Sequence, residues 1–400
     1  MLLVSVNRLT PGMVTAVPIA HPYRYETHLV QPHVRLDERT IHRLKELKVA
    51  HAWICHPLME DLDGLIGSRV PENRRAIYET IKRGFDELQH RAITVDDYRR
   101  YCGVIATLIS ELLGRDAKIA DLAERLFTEG DELSNHCSNV AYLAVTIGMH
   151  LEDYITGERP SAAPHIARDL TSLGVGAMLH DIGKLTDDGR LRDQHQFSDA
   201  LDNDYGDHVL AGYTLLRERV NPVAAAIALH HHQRWDGAGW PDMTALTRGR
   251  HRGPFSGRRI HIFARIVAAA NAFDNLTNPP DGPKRPSIYA LYTLQSDDMA
   301  IRFDPVVLDA LLRYLPPFPT GAQVFLSNGR EAAVTAMNPN QPCRPAVRYI
   351  DEYADGNDLD LTRHPELDIV ESQGLAVGKW LFHLPPRRSA VEAAMTESVV

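Results

Sequence analysis

Cysteine is scarce in this chain: Cys55, Cys102, Cys137 and Cys343 are scattered through 400 residues, and no two form a C-x-x-C pair. That spacing gives no zinc-finger framework and fits a reducing compartment. No run of ~18 consecutive apolar residues occurs anywhere. The stretch Met1 to Asn7 also lacks the long apolar segment of a leader, so the chain reads as cytoplasmic with no membrane span. An excess of positive charge is missing too: 43 Lys and Arg face 52 Asp and Glu, a formal net charge of -9. Duplex nucleic acid wants a basic face, so it is not an expected partner. A small anionic ligand stays open, because metal ions can supply local positive charge. Neither internal repeats nor low-complexity tracts are present. What is there is a globular composition, 44% hydrophobic and 24% charged, long enough for two or three domains.

The order of signals predicts a mainly α chain with small β-containing units at both ends. Residues 1–60 read as a small α+β regulatory unit, with strands over Leu2–Val6, His28–Val34 and Ala50–Cys55 and a helix from the cap Asp37 through Lys48. Residues 61–117 read as a helical linker, with helices over Asn73–Arg91 and Val95–Leu113 that could pair with each other or with a second subunit. Residues 118–315 read as a helical bundle, interrupted by a loop over Thr156–Ala167. Residues 316–351 read as a small β module: Gln323–Ser327, a turn at Asn328-Gly329, Ala332–Ala336, then Arg344–Ile350. Residues 352–400 read as a tail that frays at its end.

Within the bundle, imidazoles and carboxylates recur on separate apolar, helix-like segments. Glu132 and His136 are four apart and share a helix face. His180-Asp181 opens Met178–Lys184, His208 lies in Tyr205–Gly212, and His231-His232 precedes the turn Asp236-Gly237-Ala238-Gly239-Trp240-Pro241. Neighbouring helical residues point about 100° apart, so adjacent ligands can serve one ion or two. Mixed imidazole and carboxylate donors suit iron, manganese or zinc better than magnesium or calcium. Such ions neutralise phosphate charge and make hydroxide available near neutral pH. Lys184, one turn past Asp181, can reach phosphate oxygens. A lone His-Asp pair is a weak signal. The His-His-x-x-x-Asp-Gly-x-Gly-x-Pro run is far more specific.

These residues, with Leu9–Met13, Phe318–Gly321 and Leu326–Gly329, resemble the HD-GYP family, the cyclic di-GMP phosphodiesterase branch of the HD phosphohydrolases. The resemblance covers most of residues 1–350. It implies an HD-type helical bundle holding two or three divalent ions, iron first and manganese or zinc as alternatives. It implies metal ligands at His136, His180, Asp181, His208, His231 and His232, with Asp181 bridging, and Glu132 at a third-metal position. It implies substrate contacts from Lys184, Asp236, Gly237 and Trp240, with Lys284 and Arg285 as substitutes for a rewritten basic stretch. The chain departs from the family where Gln233 replaces Glu, Trp240 replaces Tyr, and Asn271 replaces an Asp ligand. Asp274 is kept, and reads as a capping or outer residue rather than a ligand.

The implied activity is hydrolysis of cyclic di-GMP to linear pGpG, GMP or both. Two rivals stand beside it. In one the drifted site binds a nucleotide or partner protein without hydrolysis; in the other it acts on a different cyclic dinucleotide or a phosphomonoester. A homodimer or a signalling-protein partner is compatible with each.

Overall fold

The computed structural model describes residues 1–21, 24–62, 70–88, 90–113, 132–185, 207–246, 255–279 and 283–385. Its architecture is mainly α, with small β units at both ends of the chain. Asp37 starts the first helix as its position predicts. Its carboxylate accepts from Thr40 N at 2.7 Å, and α1 (Glu38–Glu46) follows. Ile41 and Leu44 of α1 are buried in a small core with Leu2, Val4 and Ile54. Four strands complete this unit: β1 (Leu2–Ser5), β2 (Ile19–His21), β3 (Arg24–Val30) and β4 (His51–Ile54). β1 pairs with β4 and β2 with β3, both antiparallel. β3 ends before the predicted Val34, because His33 takes a left-handed conformation (φ 60°) and Thr15 Oγ1 bonds the Gln31 carbonyl at 2.8 Å.

Helices α2 (Val70–Leu88) and α3 (Val95–Leu113) pack against each other, and also against the bundle. Ile77, Ile81, Phe85, Ile105 and Leu108 share one core with the bundle helices, so this segment is a wall of the bundle as well as a connection. A Cβ at Gly84 would lie 2.1 Å from the Tyr101 hydroxyl, a measure of how closely the pair approaches.

The bundle consists of α4 (Glu132–Met149), α5 (Glu152–Glu158), α6 (Thr171–Leu179), α7 (Asp207–Leu216), α8 (Pro222–His230), α9 (Ile262–Thr277), α10 (Ser287–Leu294) and α11 (Pro305–Tyr314). The predicted start near Lys118 lies outside the described residues. So do Tyr205 and Gly206. The expected loop at Thr156–Ala167 instead contains the end of α5 and a short helical turn at Pro164–Ala167, begun by proline at its first position. α4 is buried along almost its whole length: its second half, residues 140–149, is almost wholly apolar, and its first half buries Ser134, Asn135, Ser138 and Asn139. It packs on α6 and α9, α6 packs on α8, and α8 on α7. Small residues set these distances: a Cβ on Gly176 of α6 would lie 2.3 Å from Ile227 Cδ1 of α8.

At the C-terminal end, β5 (Gln323–Leu326) and β6 (Glu331–Ala336) form the predicted hairpin, with Gly329 at φ 80° in the turn. β7 (Ala346–Tyr349) adds to β6. The sheet does not stop at 351. β8 (Asp358–Asp360), β9 (Ile369–Ser372) and β10 (Leu375–Ala376) extend it to six strands in the order β10-β9-β5-β6-β7-β8. These strands are two to four residues long, too short to show alternation in sequence. β9 also pairs with the far edge of the hairpin, which no local signal announces.

Candidate metal centre

Helix α6 ends at His180. The ring turns back so that Nδ1 donates to the Ala177 carbonyl at 2.8 Å. α8 ends in the same way at His231, whose Nδ1 donates to Ala228 O at 3.0 Å. A carbonyl only accepts, so both rings carry their proton on Nδ1 and present an Nε2 lone pair inward. His136, on α4, places Nδ1 2.7 Å from Asp274 Oδ2 on α9, which fixes the same tautomer. Each of these three histidines has an anchor behind it and a lone pair in front.

All the lone pairs converge on Asp181. Its Oδ2 lies 3.5 Å from His136 Nε2 and 3.4 Å from His180 Nε2. Its Oδ1 lies 3.3 Å from His208 Nε2 and 3.4 Å from His231 Nε2. The side chains therefore form two groups that share one carboxylate: His136, His180 and Asp181, and Asp181, His208, His231 and His232. In each group the donor atoms lie within 4.8 Å of one another. Asp181 Oδ1, His208 Nε2 and His231 Nε2 are buried and make no hydrogen bond. His136 and His180 also point Nε2 at each other across 3.3 Å, although both rings have placed their protons on the other side. Lone pairs facing lone pairs in a buried space repel, unless a cation lies among them. The residues fit divalent metal, one ion to each group.

The protonation states agree. Burial pushes His180 down and takes His231 down to about 3. Burial, then the charge of His231, pushes His232 well down. Burial alone would raise Asp181, but Lys184 and then His180 outweigh it and hold the carboxyl well below its usual range. Neutral imidazoles around an ionised carboxylate are what metal binding requires. Lys184 follows on a short 3-10 turn (Ile182–Lys184), with Nζ 2.5 Å from Asp181 Oδ2. That turn lies directly on α7: a Cβ on Gly183 would be 1.9 Å from the His208 carbonyl oxygen.

The other predicted site residues are placed differently. Glu132 is the exposed first residue of α4 and belongs to neither group. Asn271 is buried on α9, where its Oδ1 accepts from Asn275 Nδ2 at 2.9 Å. Asp236 folds its own loop, bonding Arg234 at 2.5 and 3.1 Å and accepting from Ala238 N at 3.0 Å; Gly237 next to it has φ 84°. Trp240 lies against the second group, its ring stacked on His232. Arg285 sits over Tyr289 and donates to its hydroxyl at 3.0 Å. Burial, and to a smaller extent the charge of Lys284, pushes His51 of β4 down to about 4.

Asp274 belongs to neither donor group and bonds His136 Nδ1 through Oδ2. Sequence reasoning missed its supports, Asn139 Nδ2 at 3.0 Å and Asn278 Nδ2 at 2.8 Å, both on Oδ1. Their spacing from His136 and Asp274, three and four residues, was a usable signal. It also missed the bond from Gln233 Nε2 to Pro241 O at 2.7 Å, which closes the loop after the paired histidines. A carboxylate there could accept but not donate.

Residues 133–276 match the HD domain family. A cyclic di-GMP phosphodiesterase response regulator of Xanthomonas campestris pv. campestris, RpfG, is 34% identical over 143 residues, 35% of this chain and 35% of that protein. Cyclic di-GMP phosphodiesterase PA4108 of Pseudomonas aeruginosa is 27% identical over 179 residues, 44% of this chain and 40% of that protein. The similarity thus spans well under half the length of these curated relatives. The solved structure of Bd1817, an HDG"Y"P protein from Bdellovibrio bacteriovorus, aligns with a TM-score of 0.44 and 14% identity, covering 78% of this chain and 97% of that one. Among the described residues, no helix is long and apolar enough to cross a membrane. The chain carries an HD domain at residues 133–276, and the resemblance to the HD-GYP family drawn from its sequence is upheld.

Proposed function

We propose that this chain is a metal-dependent phosphodiesterase that opens cyclic di-GMP to linear pGpG, GMP or both. The observation that carries the reading is the pair of donor groups sharing Asp181, in which Asp181 Oδ1, His208 Nε2 and His231 Nε2 are buried without a hydrogen bond. His136 and His180 would hold one ion, and His208, His231 and His232 the other. Asp181 would give one oxygen to each. Iron, manganese and zinc suit this donor set. Bound ions supply positive charge to phosphate oxygens and make hydroxide available near neutral pH.

The chain's own residues do the rest. Asp181 holds the two halves at a fixed separation. Lys184 is part-exposed and one turn away, so its ammonium can move from Asp181 to a phosphate oxygen. The loop Asp236–Trp240 lies against the second half through Trp240, and Lys284 and Arg285 are the cations that the resemblance offers for a second phosphate, Arg285 after leaving Tyr289. Glu132 is a candidate for a third ion, and Asn271 for a neutral ligand. Support for the substrate comes from the relatives named cyclic di-GMP phosphodiesterases. The test is hydrolysis of cyclic di-GMP by anaerobically purified protein, with bound metal quantified on the same sample. Two or three ions per chain with turnover, and loss of both in His180→Ala, are expected. Metal-loaded protein that leaves the dinucleotide intact overturns the reading.

Two observations favour a second reading, binding without turnover. Asn271 accepts from Asn275 with its amide oxygen, and Arg285 rests on Tyr289. Tight dinucleotide binding with no product under iron, manganese and zinc would select it.

A further inference from the structure

The histidines of the metal centre are anchored in two different ways. His136, His180 and His231 each give Nδ1 to an oxygen: Asp274 at 2.7 Å, Ala177 at 2.8 Å and Ala228 at 3.0 Å. Among the described residues, neither His208 nor His232 has such a bond. Both lie instead on one indole. The Trp240 ring stacks on the His232 imidazole with centroids 4.0 Å apart and planes 15° apart, and stands edge-on to His208 at 5.4 Å and 82°. His208 and His232 are themselves edge-on at 5.3 Å.

The loop is built to hold that indole in place. Trp240 N donates to His232 O at 3.3 Å, and Gln233 Nε2 donates to Pro241 O at 2.7 Å. A Cβ at Gly239 would meet Arg234 N at 2.3 Å and His232 O at 2.6 Å, so only glycine lets the strap fold this tightly. An imidazole without a hydrogen-bonded anchor turns freely about its last torsion, which spoils the direction of its lone pair. A stacked, fixed indole removes that freedom for His232, and its edge limits His208.

We infer that Trp240 is a positioning residue for one half of the metal centre: it sets the ring planes of His208 and His232, and leaves the half made by His136 and His180 untouched. This rests on the metal reading above. It differs from the expectation that Trp240 serves as an aromatic wall against substrate.

The experiment is titration of the full-length metal-free protein with manganese(II) alone, followed by calorimetry and electron paramagnetic resonance, for wild type, Trp240→Phe and Trp240→Ala. Wild type fills both halves and shows the signal of a coupled pair. In Trp240→Ala one ion keeps wild-type affinity, the other weakens about 10–100-fold, and the coupled signal gives way to that of a single ion. Trp240→Phe, which can still stack, recovers most of the loss. The retained ion is the control for folding. Wild-type affinities for both ions in Trp240→Ala, with a raised KM for cyclic di-GMP as the one change, would show a substrate wall and overturn the inference. Loss of both ions in a variant with native circular dichroism overturns it too. A wild-type chain that takes up no manganese overturns the metal reading and this inference with it.

Discussion

His136 can aim Nε2 at Asp181 because Asp274 holds the other ring nitrogen, and Asp274 can do so because Asn139 and Asn278 hold its second oxygen. Removing the carboxylate frees the ring and takes an acceptor from the buried Asn139 and the half-buried Asn278. Asp274→Ala is therefore expected to weaken metal binding about 10–100-fold, read by competitive titration against a chelating dye. Its helix content should stay native by circular dichroism. A second residue gives the fold a pH dependence away from the metal centre. His261 caps α9, its Nδ1 accepting from Phe263 N at 3.1 Å, and burial pushes its pKa down from 6.5 to about 4. The unfolded chain takes up that proton first, so the stability His261 contributes is complete above pH 6.5 and is lost as pH falls toward 4. Each pH unit between those two values corresponds to ~1.4 kcal/mol, so the loss is at most about 3.5 kcal/mol. His261→Asn keeps a capping oxygen that does not titrate. Its melting temperature should fall less than that of wild type between pH 7.5 and 5, by differential scanning fluorimetry. An equal fall in both would remove the assignment.

The helices reach the site through their ends, and the spacing between elements is set by glycine. Gly183 is the sharpest case, since its missing Cβ leaves room for the His208 carbonyl. Gly183→Ala should push α7 off the 3-10 turn. We expect a cost of about 1–3 kcal/mol and loss of the ion held by His208, by thermal melting and metal analysis. Gly212→Ala, whose Cβ would have 3.3 Å or more to every neighbour, should be milder. This is also where reading the sequence reaches its limit. Its periodicity and caps gave the helices, and its motifs gave the donors: His136, His180, Asp181, His208, His231 and His232 do come together. Local signals say which residue types could ligate and which helix face they share. They do not say that Asp236 is spent on its own loop or that Asn271 is bonded to Asn275, and the bridging place of Asp181 came from the resemblance alone. Such a bridge depends on distances between segments far apart in the chain. The strands past residue 351 were missed because two to four residues cannot show a period, and because β9 pairs with β5 across a long separation.

At the scale of the whole molecule, the N-terminal unit and the C-terminal sheet meet away from the metal centre. Leu3 N donates to Gly321 O at 2.7 Å, Arg8 pairs with Glu371 and lies over Phe325, and Ala333 completes the core of the N-terminal unit. Arg348 is the strongest of these ties. It is 9% exposed; its guanidinium spans Asp61 at 2.8 and 2.9 Å, Asp358 at 2.9 Å and the Leu58 carbonyl. A planar fork can satisfy all three acceptors at once, which a lysine ammonium cannot. Arg348→Ala leaves them without a donor, and since Asp61 and Asp358 are about half exposed, water makes up much of the loss. About 1–3 kcal/mol is the expected cost, seen as a lower melting temperature and faster protease cleavage near residues 58–62. Arg348→Lys should recover only part of it. No donor of the metal centre touches Arg348, so metal content should be unchanged in both variants. Loss of metal in Arg348→Ala would mean that the docked ends and the bundle share one cooperative unit, and that the N-terminal unit can act on the site through the sheet it rests on.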